Sequence, residues 1–172
     1  MAMSTPETHD AVPAPSERLL ESVAAQVEAI DLLVNRARRT LRVFDVDLAN
    51  MGWNTPPRTD ALVRLLRRSA EARVQIIVHD TRHLESNCPR LVRLLRQWSE
   101  VVTIYRTGPA ARAASNPLVI VDERDFLHRF HAAQPRASLA LDAPAQAVPL
   151  VRRFDEIWAT GEPGIGATTL GL

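Results

Sequence analysis

Apolar residues recur every third or fourth position through Leu19, Val23, Val27, Ile30, Val34, Ala37 and Leu41, with Glu21, Glu28, Arg38 and Arg39 on the opposite face. This spacing predicts an amphipathic helix over residues 17 to about 40, with Ser16 as N-cap and basic residues in the last turn, where they complement the helix dipole. An apolar run then predicts a first strand over 41–48, followed by a loop over 49–58 that contains Gly52, Trp53, Pro56 and Pro57. Thr59 or Asp60 is expected to cap a second helix that ends near Ala72. Val74, Ile76, Ile77 and Val78 predict a second strand over 73–78 ending at His79-Asp80, and Pro89 suits the first position of a third helix that reaches about Ser99.

Further strands are predicted over 101–105, 118–121, 125–131 and 137–141, with a small-residue loop over 106–116. A closing helix over 144–160 places Val148, Val151, Phe154, Ile157 and Trp158 as its apolar positions. Pro149 predicts a kink or a later start, and Gly161 stops the helix. Leu62-Val63-Arg64-Leu65-Leu66-Arg67 recurs as Leu91-Val92-Arg93-Leu94-Leu95-Arg96, 29 residues on. A single recurrence reads as two helices packing on one sheet in similar ways, since solenoids need several repeats. Strand–helix units followed by adjacent strands predict one α/β domain over 16–160, a mixed sheet flanked by helices. Residues 1–15, with three prolines and no apolar period, are expected to be a disordered tail, and 161–172 a flexible one.

Composition narrows the chemistry. All 21 basic residues are arginine. Without lysine the chain cannot form a Schiff base, hold pyridoxal phosphate covalently or supply a Walker-A lysine. A formal net charge of +1 demands no polyanionic partner. The single Cys88 excludes an internal disulfide and points to a reducing compartment, so a cytoplasmic location is expected. No apolar run approaches the ~18 residues that cross a membrane. The polar, Pro-rich start predicts no signal peptide.

Residues Ala114-Ser115-Asn116-Pro117-Leu118-Val119-Ile120-Val121-Asp122-Glu123 read as a buried strand closed by an acidic turn. The stretch resembles the phospholipase D superfamily strand that carries His-x-Lys-(x)4-Asp. Together with Phe154-Asp155-Glu156-Ile157-Trp158, whose flavour matches a closing helix of that family, the resemblance spans residues 17–160 as one half of a phospholipase D-like protein. It implies that fold, and a site built from two signature copies in which one His attacks, a second His is the acid and Lys neutralises phosphate. Asp122 is the one signature residue present; the His position is Ser115 and the Lys position Pro117. The family's Gly-Ser pair falls near Arg129-Phe130, and its later carboxylate near Arg136. Losing nucleophile and cation together removes the covalent path and the support for transition-state charge. The resemblance therefore implies a catalytically dead, single-half member from a bacterial branch, pairing as a homodimer.

Three other groupings could carry function. Asp45 and Asp47 end the first strand and His79 and Asp80 the second, so parallel neighbours would bring them together as an acid–imidazole cleft at the carboxyl ends of the strands. The plainer reading has these carboxylates capping turns, and no metal or cofactor is expected. His128 and His131, three apart on a strand, point to opposite faces and cannot ligate one metal. Arg36, Arg38, Arg39 and Arg42 cluster at the first helix end as candidate phosphate-binding residues, and Arg64, Arg67, Arg68, Arg93 and Arg96 would enlarge the patch if their helix faces adjoin it. The resulting expectation is a non-catalytic binding or scaffold module with a protein partner. The alternatives are an Arg-based binder of nucleic acid or a phosphate ligand, and a hydrolase centred near Asp45, Asp47, His79 and Asp80.

Overall fold

A computed structural model describes residues 16–165. In chain order the elements are β1 (Ser16–Leu20), α1 (Val23–Arg36), β2 (Thr40–Asp45), α2 (Pro56–Arg68), β3 (Arg73–Val78), α3 (Arg82–Asn87), α4 (Pro89–Gln97), β4 (Val102–Arg106), β5 (Leu118–Val121), β6 (Asp125–Arg129), β7 (Ala137–Leu141), α5 (Pro144–Trp158) and β8 (Glu162–Pro163). The strands form one sheet in the order β1-β7-β6-β5-β2-β3-β4-β8. β2, β3 and β4 are parallel neighbours, and the remaining pairs are antiparallel. The chain is thus α/β with a mixed sheet, as its pattern predicted.

Alternation along the strands divides the core. Leu41, Val43, Val74, Ile76, Val119, Val121, Leu127 and Leu139 pack beneath α1, α2 and α4. Phe44, Ile77, Leu118, Ile120, Phe126 and Ala140 pack beneath Ala147, Phe154 and Ile157 of α5. Strands buried on both faces read as unbroken apolar runs rather than alternating ones, as Leu118-Val119-Ile120-Val121 does.

The first helix differs from expectation at both ends. Residues 16–20 are not helical; they form an edge strand antiparallel to β7. The N-cap is Ser22, whose Oγ accepts the Ala25 N–H at 3.1 Å. The helix ends at Arg36 because Ala37 is extended, with φ −60° and ψ 131°. The three amides after it, Arg38, Arg39 and Thr40, donate to the Asp122 carboxylate at 2.9, 2.8 and 2.9 Å.

Four other boundaries move. Pro56 opens α2 ahead of Thr59, proline being tolerated where a helix amide has no partner. The first strand stops at Asp45, and Leu48 and Asn50 in the following loop have φ of 67° and 64°. The turn before Pro89 contains the short helix α3. Past Gly161, where a loose tail was expected, Glu162–Pro163 pairs with β4 and Ile165 is buried. The expected tail over 1–15 and the last residues, 166–172, lie outside the described residues.

Two polar ties hold the layers. Arg58, 1% exposed, donates to Asp31 Oδ1 at 2.8 Å, the Val27 carbonyl at 3.0 Å and the Met51 carbonyl, and stacks 4.9 Å from the Trp53 ring. It joins α1, α2 and the loop between β2 and α2. Asp122 is the second tie. It sits in the β5–β6 turn, where Asp122 and Glu123 have φ of 51° and 57° and the Arg124 N–H closes on Val121 O at 3.1 Å. Both positive φ values match a type I′ hairpin turn.

Asp122→Ala strips three amides of a charged acceptor and should cost about 2–4 kcal/mol, with Asp122→Asn losing roughly half of that. Urea unfolding midpoints check this; an unchanged midpoint for Asp122→Ala would remove the clamp's structural role.

Candidate functional site

The parallel pairing places Asp45, Asp47, His79 and Asp80 at the same end of the sheet, since Asp45 stands in register with Val78. They do not form one cluster. Asp45 shares the face of Val43, under α1, whereas His79 shares the face of Ile77, under α5. His79 Nε2 lies 2.7 Å from the Ala114 carbonyl oxygen and Nδ1 2.6 Å from the Thr107 hydroxyl. A carbonyl only accepts, so Nε2 carries a proton, and in the neutral ring Nδ1 accepts from the Thr107 hydroxyl. Its ring meets Phe44 edge-on at 5.3 Å. Asp47 accepts the Ala49 N–H at 2.9 Å. Asp80 accepts from the Arg82 backbone and side chain, and these bonds hold its carboxyl down at about 2. Among the described residues no group of three or more His, Cys, Asp or Glu is placed to hold a metal ion.

Asp45 instead belongs with the signature positions. Extending the β2–β5 and β5–β6 registers by one residue aligns Asp45, Pro117 and Arg129 in a single row on the α1 face. The Arg129 N–H bonds to the Pro117 carbonyl at 2.9 Å, and the Ala132 N–H to the Ser115 carbonyl at 2.8 Å. The row spans two strand spacings, roughly 10 Å. Arg129 reaches across β5 over Pro117, and its Nη1 stands 3.5 Å from both Asp45 oxygens. Its Nη2 donates to the Ala132 carbonyl at 2.9 Å, while Nε is buried with no partner among the described residues. A long side chain at position 117 would stand in that path; proline leaves it open. A cleft of about 430 Å³ borders the row, lined by Val23, Asp47, Met51 and residues 132–135 as well as the ion pair.

Arg129 thus occupies, from the neighbouring strand, the corner where the resemblance would put the signature's lysine. Sequence reading placed it near a Gly-Ser position without a role. The available signal was its inward place by alternation, two residues after Leu127. The pair is not tight. At 3.5 Å Arg129 offsets the burial of Asp45 only partly, and burial pushes the Asp45 carboxyl up to about 6.

The arginines at the first helix end separate. Arg42 points to the α5 face and pairs with Glu123 at 2.9 Å. Arg39 is exposed. Arg36 and Arg38 instead meet Arg68, from the end of α2, and Arg124, from the β5–β6 turn, around a cleft of about 360 Å³ that Asn35, Asp122 and Asp125 also line. Arg64 bonds Asn35 Oδ1 at 2.7 Å, so the faces of α1 and α2 do adjoin.

The Asp45 shift has a pH signature. Between its ordinary value of 3.8 and about 6 the folded protein holds a proton that the unfolded chain has released. This group's stabilisation is therefore present at low pH and lost as pH rises through 6, up to about 3 kcal/mol. Carbon-13 titration of the Asp45 carboxyl should give a midpoint near 6, and Asp45→Asn should remove this part of the stability profile; a midpoint in the ordinary carboxylate range overturns the assignment.

Comparison with known proteins places this geometry. No curated protein matches the chain. Among solved structures, the chain is similar to Nuc, a phospholipase D family member from Salmonella typhimurium, at 15% identity and a TM-score of 0.62, over 89% of this chain and 100% of that one. It is similar to NucT from Helicobacter pylori at 12% identity and a TM-score of 0.60, over 87% and 99%. It is also similar to TrmBL2, an archaeal chromatin protein, at 10% identity and a TM-score of 0.66, over 91% of this chain and 56% of that one. These likenesses show the phospholipase D-like fold that the strand around Asp122 resembled. A family sequence profile matches residues 22–167, and the chain belongs to that family, described as Domain of unknown function (DUF7931).

Proposed function

We propose that this chain is a non-catalytic phospholipase D-like domain, a module that binds rather than cleaves. The observation that carries this reading is the Asp45–Pro117–Arg129 row. The corner that would need an attacking imidazole and a lysine holds Ser115 and Pro117, and Arg129, the one cation there among the described residues, is turned onto Asp45. Without a nucleophile no phosphoenzyme forms, and a guanidinium already facing a carboxylate is a poor support for new phosphate charge. A homodimer accompanies the proposal, by analogy with single-half members of the superfamily.

A second reading, a nucleic-acid binder using arginine, is favoured by the convergence of Arg36 and Arg38 with Arg68 and Arg124. TrmBL2, similar over 91% of this chain, is a chromatin protein whose structure shows a novel mode of DNA binding. A hydrolase built on Asp45, Asp47, His79 and Asp80 draws no support, because Asp45 and His79 lie on opposite faces of the sheet and both nitrogens of His79 are engaged.

Incubation of the protein with bis(p-nitrophenyl) phosphate, with and without divalent metals, should give no nitrophenolate above the buffer blank. Turnover abolished by His79→Ala would establish the hydrolase instead. Labelled single- and double-stranded oligonucleotides titrated across a salt series test the second reading: affinity falling steeply with salt supports it, and no binding at low salt removes it. A monomeric mass in solution would exclude the homodimer.

A further inference from the structure

We propose that the cleft at the C-terminal ends of α1 and α2 is a binding site for a phosphate group, gripped by Arg38 and Arg68 with Arg36 and Arg124 beside them. The inference deepens the binding reading and rests on it. The cleft lies at the Asp122 end of β5, away from the Asp45–Pro117–Arg129 row, so it owes nothing to the corner where the fold's chemistry would sit.

Among the described residues four guanidiniums and two carboxylates line the cleft, a formal balance of +2. Both carboxylates are already engaged. Asp122 receives the amides of Arg38, Arg39 and Thr40. Asp125 is buried and receives Arg36 Nε and the Asp142 N–H, each at 2.7 Å. Asp142, beside the cleft, bonds to Arg36 at 3.2 Å and also to Arg124, bringing the local balance to +1. Arg36 and Arg124 are thereby held in place by buried or shared carboxylates. Arg38 and Arg68 are exposed, and their guanidiniums have no hydrogen-bond or ion-pair partner among the described residues.

Helix-dipole compensation accounts for single arginines in last turns, such as Arg36 and Arg68. It does not account for Arg38, which lies past the end of α1, or for Arg124 in the β5–β6 turn. Guanidinium forks match the oxygens of phosphate in pairs and stay charged at any working pH. Among the described residues no aromatic side chain lines the cleft, so a base would find no stacking platform there. Recognition is of the phosphate group, whether on a small phosphorylated molecule or on a nucleic-acid backbone.

Isothermal titration of the full chain with pyrophosphate at low ionic strength tests the site. The expected result is saturable binding that Arg38→Gln/Arg68→Gln weakens about tenfold or more, while Arg152→Gln/Arg153→Gln, on exposed positions of α5, leaves it unchanged. The guanidiniums of the first pair are exposed and without a partner among the described residues, so thermal midpoints should stay close to wild type. Absence of binding, or equal loss in the two double variants, overturns the site. Oligonucleotide anisotropy on the same proteins identifies the source. Oligonucleotide binding that is weakened by Arg38→Gln/Arg68→Gln and competed by pyrophosphate assigns the phosphate to a nucleic-acid backbone. Pyrophosphate binding without oligonucleotide binding assigns it to a small molecule. Oligonucleotide binding with no pyrophosphate binding, indifferent to these variants, sinks the cleft while leaving the binding reading intact.

Discussion

One carboxylate holds the geometry of this domain. Asp122 takes the amides of Arg38, Arg39 and Thr40, and by doing so it ends α1, starts β2 and fixes where the β5–β6 turn meets them. These three amides lie just past a helix end and just before a ladder begins, where the backbone has no regular partner of its own. A charged acceptor with two oxygens satisfies them together. Asp122 sits 82 to 84 residues away in sequence, so the bond is also a long-range registration of the first unit of the fold on the second.

The part that Asp122 plays is structural. Of the three positions that resemble a phospholipase D signature, it is the one whose side chain ties distant segments together. The other two, Ser115 and Pro117, lie at the opposite end of β5 and make no such contribution through their side chains. Their carbonyls serve the β5–β6 pairing, which any residue could provide. With proline at position 117, Arg129 of β6 crosses the strand to Asp45, and the two form an internal ion pair. The geometry is costly, since Asp45 is 6% exposed and only partly compensated, and this keeps its carboxyl far from its usual titration range.

Arginine without lysine shapes the rest of the polar architecture. Arg58 illustrates the advantage: one planar, multi-donor group reaches Asp31, Val27 and Met51 while its face lies on Trp53. An ammonium has three donors around a point and could not make the same set of contacts. The same group type lines the cleft between the ends of α1 and α2, where Arg38 and Arg68 point outward from a frame made by Arg36, Arg124 and their carboxylates.

Periodicity and strand-length apolar runs were enough to determine the α/β class, the mixed sheet and most elements from β2 to α5. Those signals are local: burial on one face of a helix or both faces of a strand writes itself into consecutive residues. Signals that continue across a boundary misled. Leu19 and Leu41 keep helical spacing with α1, yet lie in or beside strands, because an edge strand and a helix end are decided by partners such as β7 and Asp122 rather than by spacing. The candidate site was half legible for the same reason. The shared sheet end of Asp45 and His79 followed from parallel strands. Their opposite faces, the reach of Arg129 over Pro117, the separation of Arg42 from Arg36 and the meeting of Arg38 with Arg68 required strand order and register. Those are properties of pairing between distant segments, which no window along the chain contains, and so only the tertiary structure decided them.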